Sequence, residues 1–155
     1  MKLKYFKLSE FDAKDENGKK IPGTGGQMRA CTIEKCDLLR ELYGKPLIVA
    51  SGIRTPERNK QVGGVRNSSH LLGYAVDWKD IAPQPADWEW DTDLIRFLDA
   101  AWAAGFRRFG IMATGIHTDD DPTKATPAIW DYPTTTPRSR WQAAKIWFTA
   151  KLKEQ

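Results

Sequence analysis

The chain has two histidines, and each stands in company that could do chemistry. His70 lies in Ser68-Ser69-His70-Leu71-Leu72-Gly73-Tyr74-Ala75-Val76-Asp77, with a carboxylate seven positions on; His117 lies in Gly115-Ile116-His117-Thr118-Asp119, with a carboxylate two positions on. Singly, each imidazole has an ordinary explanation, a neutral ring satisfied by a backbone carbonyl. Jointly, two imidazoles and one carboxylate are the donor set of a catalytic zinc site. Three protein ligands leave one position for water, and the net positive charge acidifies that water. Gly73 lets the chain reverse between a loop histidine and a strand aspartate. The expected metal ligands are therefore His70, Asp77 and His117, with His117 arriving from a neighbouring strand, and the expected cofactor is Zn2+.

Strands and turns must carry these groups. Leu47-Ile48-Val49-Ala50, a short apolar run between Pro46 and Ser51-Gly52, reads as a buried strand that delivers Arg54 at its end. Thr55 as cap, Pro56 in the first helical position and Glu57 in the first turn begin a short helix to Gln61, ended by Gly63-Gly64. Tyr74 to Trp78 alternates as a strand, and Ala82-Pro83-Gln84-Pro85-Ala86 breaks the pattern. Phe106 to Met112 and Gly115 to Thr118 read as two further short strands.

Helices frame them. From about Gln27 to Tyr43, Cys31, Leu38, Leu39 and Leu42 form an apolar face, with Gly44 and Lys45-Pro46 as the stop. Asp91 is expected to cap a helix in which Leu94, Phe97, Leu98 and Ala101 share a face closed by Gly105. A last helix runs from about Arg138 to Leu152 with Ala144, Phe148 and Leu152 buried. Phe11 to Gly26, polar and carrying four glycines, is expected to be an exposed loop that could border a cleft. This order of elements predicts an α+β fold.

The segment Ser51-Gly52-Ile53-Arg54-Thr55-Pro56-Glu57-Arg58-Asn59, continuing through Val62-Gly63-Gly64 to the His70/Asp77 block, resembles the core of the M15 family of zinc D-Ala-D-Ala carboxypeptidases. Gly110-Ile111-Met112 through His117-Thr118-Asp119 is similar to that family's second metal motif, and Trp130 to an aromatic that often follows it. The nearest branch is the C-terminal type found in phage lysins. The resemblance spans roughly residues 5 to 132. It implies a small antiparallel sheet flanked by helices, of the hedgehog/D-Ala-D-Ala-peptidase kind, in a single zinc peptidase domain over residues 1–155. It also implies zinc on His70, Asp77 and His117 and cleavage of peptide bonds in peptidoglycan stems or crosslinks.

Other residues gain roles from the same comparison. Arg54 stands where the family contacts substrate, and its planar fork suits a carboxylate or carbonyl; a surface ion pair is the plainer alternative. Asp119 either orients an imidazole, serves as general base, or begins the solvated Asp119-Asp120-Asp121 run. Ser69 either binds substrate at the metal site or only forms a turn. Related lysins place the acidic base three positions before the last histidine, where this chain has Thr114. That departure motivates a rival reading, a catalytically weakened, zinc-containing wall-binding module. Trp78, Trp88, Trp90 and Trp130 either line a groove or pack, and Arg138, Arg140, Lys145, Lys151 and Lys153 give the last helix a basic character.

Bulk composition sets the remaining bounds. With 155 residues, 41% hydrophobic and 28% charged, the chain suits one soluble domain. A net charge of +4 is too small to name a partner, and its basic residues are spread rather than interleaved with aromatics, so neither nucleic acid nor membrane is expected as a partner. The expected partner is the peptidoglycan peptide, and the expected state a monomer. The N-terminus lacks the apolar stretch of a secretory signal. Cytoplasmic synthesis is expected, with action at the cell wall by an endolysin-like route and a phage origin plausible. Cys31 and Cys36, five apart on a helix, are expected to be reduced structural thiols.

Overall fold

The computed structural model describes residues 2–81 and 90–155. In chain order the elements are α1 (Ala30–Tyr43), β1 (Ile48–Ser51), α2 (Pro56–Gln61), β2 (Ala75–Lys79), α3 (Trp90–Ala104), β3 (Arg108–Ile111), β4 (Ile116–Asp119), β5 (Ala128–Asp131) and α4 (Arg138–Lys153). The fold is α+β, with strand order β1-β2-β4-β3-β5. Strands β1 through β3 pair antiparallel, and β5 adds to β3 in parallel. Strand β5 lies in the Asp- and Pro-rich stretch before the last helix, where the sequence predicts no strand.

Side chains alternate across a strand, so the register divides the sheet into two unlike faces. Val76, Trp78, Phe109, Ile111 and Ile116 fill one face and are buried in the core. Trp78 packs there against Phe6 and Phe97, with ring centroids 5.7 and 6.3 Å away, and its Nε1 donates to Thr118 Oγ1 at 2.9 Å. Helix α3 brings Leu94, Phe97, Leu98 and Ala101, all fully buried, onto this core as their spacing predicts. Gly105, at φ +111°, closes it. Asp91 is itself helical, within α3, rather than its cap. The Ala82–Ala86 break and Trp88 lie outside the described residues.

Several expected faces rotate. On α1 the buried positions are Thr32, Ile33, Cys36, Leu39 and Tyr43, while Cys31, Leu38 and Leu42 face outward. Leucine counting picked a stripe one step around the helix; the core takes the branched Ile33 and the ring of Tyr43 instead. Both thiols are free; Cys36 is buried, which pushes its thiol up, whereas Cys31 is exposed. Strand β1 is an edge rather than a buried strand, with Ile48 55% exposed. On α4, Trp147 replaces Leu152 in the core, edge-on to Phe109 at 5.4 Å.

Arg140 leaves the basic face of α4 altogether. It is buried, and donates from Nε to Met112 O at 2.8 Å and from Nη2 to Gly115 O at 3.1 Å, so the last helix anchors the β3–β4 hairpin. A guanidinium is suited to this because its fixed fork can reach two carbonyls at once.

Candidate metal centre

The second face of the sheet is polar, and its register sets one row across all five strands. Ser51 pairs with Asp77, Asp77 with His117, His117 with Gly110, and Gly110 with Trp130. Asp77 and His117 therefore meet because adjacent strands hold them directly opposite; His117 Nδ1 and Asp77 Oδ1 are 2.9 Å apart. Gly110 has a specific reason to be glycine. A Cβ there would come within 2.8 Å of Trp130 Nε1 and 3.1 Å of His117 Cβ, so its absence lets the indole cross β3 and lie 5.4 Å from the His117 ring. Gly110→Val is expected to push Trp130 off His117 and to cost about 1–3 kcal/mol through overpacking. A fall in melting temperature of about 3–10 °C would register it in a chain of this size.

His70 comes from outside the sheet. It sits in a 3-10 turn, Ser69–Leu72, whose cap Ser68 accepts from His70 N at 3.3 Å and whose exit Gly73 has φ +82°. The β1–α2 connection grips this turn at two points: Arg54 N donates to His70 O at 3.1 Å, and His70 Nδ1 faces Gly52 O at 2.8 Å. The second contact makes Nδ1 the N–H donor and leaves the lone pair on Nε2. That Nε2 is buried without a hydrogen-bond partner, although Asp77 Oδ1 lies 3.2 Å away.

These facts decide whether a cation fits. Burial lowers the His70 pKa and outweighs the pull of Asp77, so the ring is neutral. A buried lone pair facing a carboxylate costs free energy unless a positive group stands between them. One donor atom from each of His70, Asp77 and His117 lies within 4.8 Å of the other two, and this donor set suits a divalent metal. Burial would raise the Asp77 carboxyl, but His70 and His117 hold it well below the usual carboxylate range. Burial would lower His117; with no cation bound, Asp119 and Asp77 reverse that and raise it to about 9.

A pH signature follows. Since His117 in the folded, metal-free chain sits above an unfolded histidine near 6.5, its protonation stabilises that state below about pH 6.5 and the contribution is lost as pH rises through about 9. Chelator-treated protein is expected to lose thermal stability across this window, and His117→Gln is expected to flatten the loss. Equal slopes in the two proteins would remove His117 as its source.

Asp119 lies behind the His117 ring. Its Oδ2 meets His117 Nε2 at 2.7 Å, while its Oδ1 accepts from Arg108 Nε at 2.8 Å and from Asp121 N at 3.2 Å. At 1% exposure, it is not part of a solvated acidic run. Asp120 and Asp121 are also engaged, by Lys35 and Thr32 and by Ser69 and Thr123. Arg108 extends the chain of contacts, bonding Ala125 O and lying 5.1 Å over the Trp130 ring. Thr114 occupies the exposed β3–β4 turn.

Around the trio lies a cleft of about 370 Å³, lined by Arg54, Ser69, Lys124, Trp130 and Tyr132 beside the donors. Arg54 is largely buried rather than a surface ion pair. Its Nη1 donates to Asn59 Oδ1 at 3.1 Å, and its Nη2 approaches Ser51 Oγ at 3.2 Å and Asp77 Oδ2 at 3.5 Å. Gly64 makes room, since a Cβ there would strike Asn59. Ser69 Oγ donates to Asp121 Oδ2 at 2.7 Å and accepts from Lys124 Nζ at 2.8 Å, so the hydroxyl braces the wall. Of the tryptophans weighed for a groove, Trp130 lines the cleft and Trp78 is core. Tyr132 was not foreseen; two positions past Trp130, it shares that face, and its hydroxyl accepts from Trp130 Nε1 at 3.3 Å.

An open cleft with two imidazoles and a carboxylate at its floor is the arrangement of a metallohydrolase. The sequence matches the family described as Peptidase M15 over residues 4–119, well over half of the chain, and the chain belongs to that family. No curated protein matches it. The matched span contains His70, Asp77, His117 and Arg54 and stops before Trp130 and Tyr132. Family and donor set together make the chain a metallopeptidase in class.

Proposed function

We propose that the chain is a zinc peptidase that hydrolyses peptide bonds of peptidoglycan stem peptides or crosslinks, as a D-Ala-D-Ala carboxypeptidase or an endopeptidase. The observation that carries this reading is the buried, unpartnered Nε2 of His70 beside Asp77 and His117 in the cleft. His70 Nε2, an Asp77 oxygen and a His117 nitrogen would hold the ion. Bound there, zinc supplies Lewis acidity, polarising a peptide carbonyl and acidifying water.

The chain's own groups do the rest. Asp119 accepts from His117 Nε2–H, which fixes the tautomer and turns Nδ1 towards the donors. Asp119 is thus read as a positioning residue, because its oxygens are already committed to His117, Arg108 and the Asp121 amide. Arg54 steadies Asp77 and keeps N–H groups to spare for a carbonyl or carboxylate in the cleft. Trp130 and Tyr132 offer an aromatic wall for an extended peptide. The partner in this reading is cell-wall peptide, met by a monomer, and neither nucleic acid nor membrane has a role in it. Among the described residues no helix is long and apolar enough to cross a membrane.

Thr114 supports a second reading. With no acid at that position, the same zinc site would serve a wall-binding module of weak hydrolytic power. Digestion of purified muropeptides followed by mass spectrometry separates the two. The peptidase releases free D-alanine or a split stem; a binding module leaves the masses unchanged while sedimenting with the wall.

A further inference from the structure

A second cavity, of about 240 Å³, opens beside the metal cleft and shares Arg54 and Asp77 with it. Its charged lining is otherwise Lys14, Arg58 and Asp12. Asp12 is buried and accepts from Gly25 N at 2.7 Å, so it is spent on the loop fold. The two cations are not so committed. Lys14 Nζ donates to the carbonyl of Ala50 at 2.8 Å and Arg58 Nη1 to Gln61 Oε1 at 2.9 Å, both neutral partners. Neither forms an ion pair among the described residues, although both are half-buried.

Two parts of the fold place them. Arg58 sits on α2, fixed by the Thr55 side chain accepting from Arg58 N at 3.1 Å. Lys14 sits in the polar 11–26 loop, pinned by its bridge to Lys20. Burial and then the charges of Arg58, Lys20, Lys79 and Arg54 push the Lys14 ammonium below its ordinary value, and in the pocket wall three cations, Lys14, Arg54 and Arg58, face two carboxylates, Asp12 and Asp77. Arg54 itself is tied by contacts to Asn59, Ser51 and Asp77. An anion in this pocket would therefore meet in Lys14 and Arg58 two cations without an ion pair among the described residues, whereas Arg54 already pairs with Asp77.

We propose that this pocket binds a carboxylate of the substrate peptide next to the bond held at His70, Asp77 and His117, with Lys14 and Arg58 as the recognition groups. The inference rests on the peptidase reading and adds the chemistry of its substrate: an anionic peptide, with Arg54 left to face the scissile carbonyl. A stem peptide has two sources for such a group, its C-terminal carboxylate and the free α-carboxylate of a γ-linked D-glutamate. Charge-assisted hydrogen bonds of this kind are strong enough to set specificity.

The test compares zinc-loaded wild type with Lys14→Gln and Arg58→Gln on three pentapeptide stems: unmodified, amidated at the C-terminus, and amidated at the D-glutamate α-carboxyl. One amidation is expected to raise KM about tenfold in wild type, naming the source, and each substitution is expected to raise KM for the unmodified stem about tenfold. Turnover and zinc content stay unchanged, and the substitutions add nothing on the amidated stem. If no stem is cut, calorimetric Kd values for the same peptides decide: carboxylate-dependent binding lost in the variants upholds the pocket while the peptidase reading falls. The pocket is overturned if neither amidation changes KM or Kd, or if the variants weaken free and amidated stems alike.

Discussion

His117→Ala is expected to lose stoichiometric zinc and to bring hydrolysis of peptidoglycan peptides to background, a drop of about a thousandfold or more. The magnitude follows from the several kcal/mol of charge stabilisation a Lewis acid supplies, at about 1.4 kcal/mol per tenfold in rate. The substitution removes one of three donors, and it also strips the partner from Asp77 on one side and Asp119 on the other. Losing these contacts costs stability even though Arg108 still pairs with Asp119 and Arg54 with Asp77, so folding has to be checked by circular dichroism, with His117→Gln as the milder companion. His70→Ala removes a different donor, together with the ring's contacts to Gly52 O and to the edge of His117. Full zinc in both alanine variants would show the trio to be the wrong site.

Asp119→Asn is expected to weaken zinc binding about 10- to 100-fold, the usual effect of losing a group that orients a metal-bound imidazole. An amide can still touch His117 but no longer matches both the imidazole N–H and the Arg108 guanidinium, 2.8 Å from the other oxygen. Activity is expected to fall with metal occupancy and to return largely at saturating zinc. A general base would behave otherwise, costing about 100- to 10,000-fold in turnover with the metal still bound. Zinc titration of both activity and metal content distinguishes the roles.

Much of the site was legible in the sequence because its signals are local. Gly73 reversing the chain and Thr55-Pro56 opening a helix are read from neighbours alone, and the structure holds both, with Gly73 at positive φ. The meeting of Asp77 with His117 is a matter of register, for which two short strands with matching alternation gave enough warning. What escaped depends on distant packing. Strand β5 was hidden because the four residues Ala128–Asp131, set between two prolines, carry no strand signal until β3 offers them a partner. Tyr132 went with it. Which stripe of α1 is buried depends on the shape of the sheet it meets, and leucine spacing does not encode that. Arg140, charged and expected at the surface, is buried because its guanidinium donates to the hairpin carbonyls of Met112 and Gly115, and that reach depends on how α4 packs on the sheet.

The central claim is that His70, Asp77 and His117 hold a metal that drives cleavage of cell-wall peptides. Its most direct test is the release of new termini from purified peptidoglycan by protein that has been zinc-loaded, stripped with chelator, and reloaded, with metal content measured at each stage. About one zinc per chain, release that disappears on stripping, and release that returns on reloading is the predicted result. Undiminished release by the stripped protein, or loaded protein that binds one zinc and releases nothing, would contradict it.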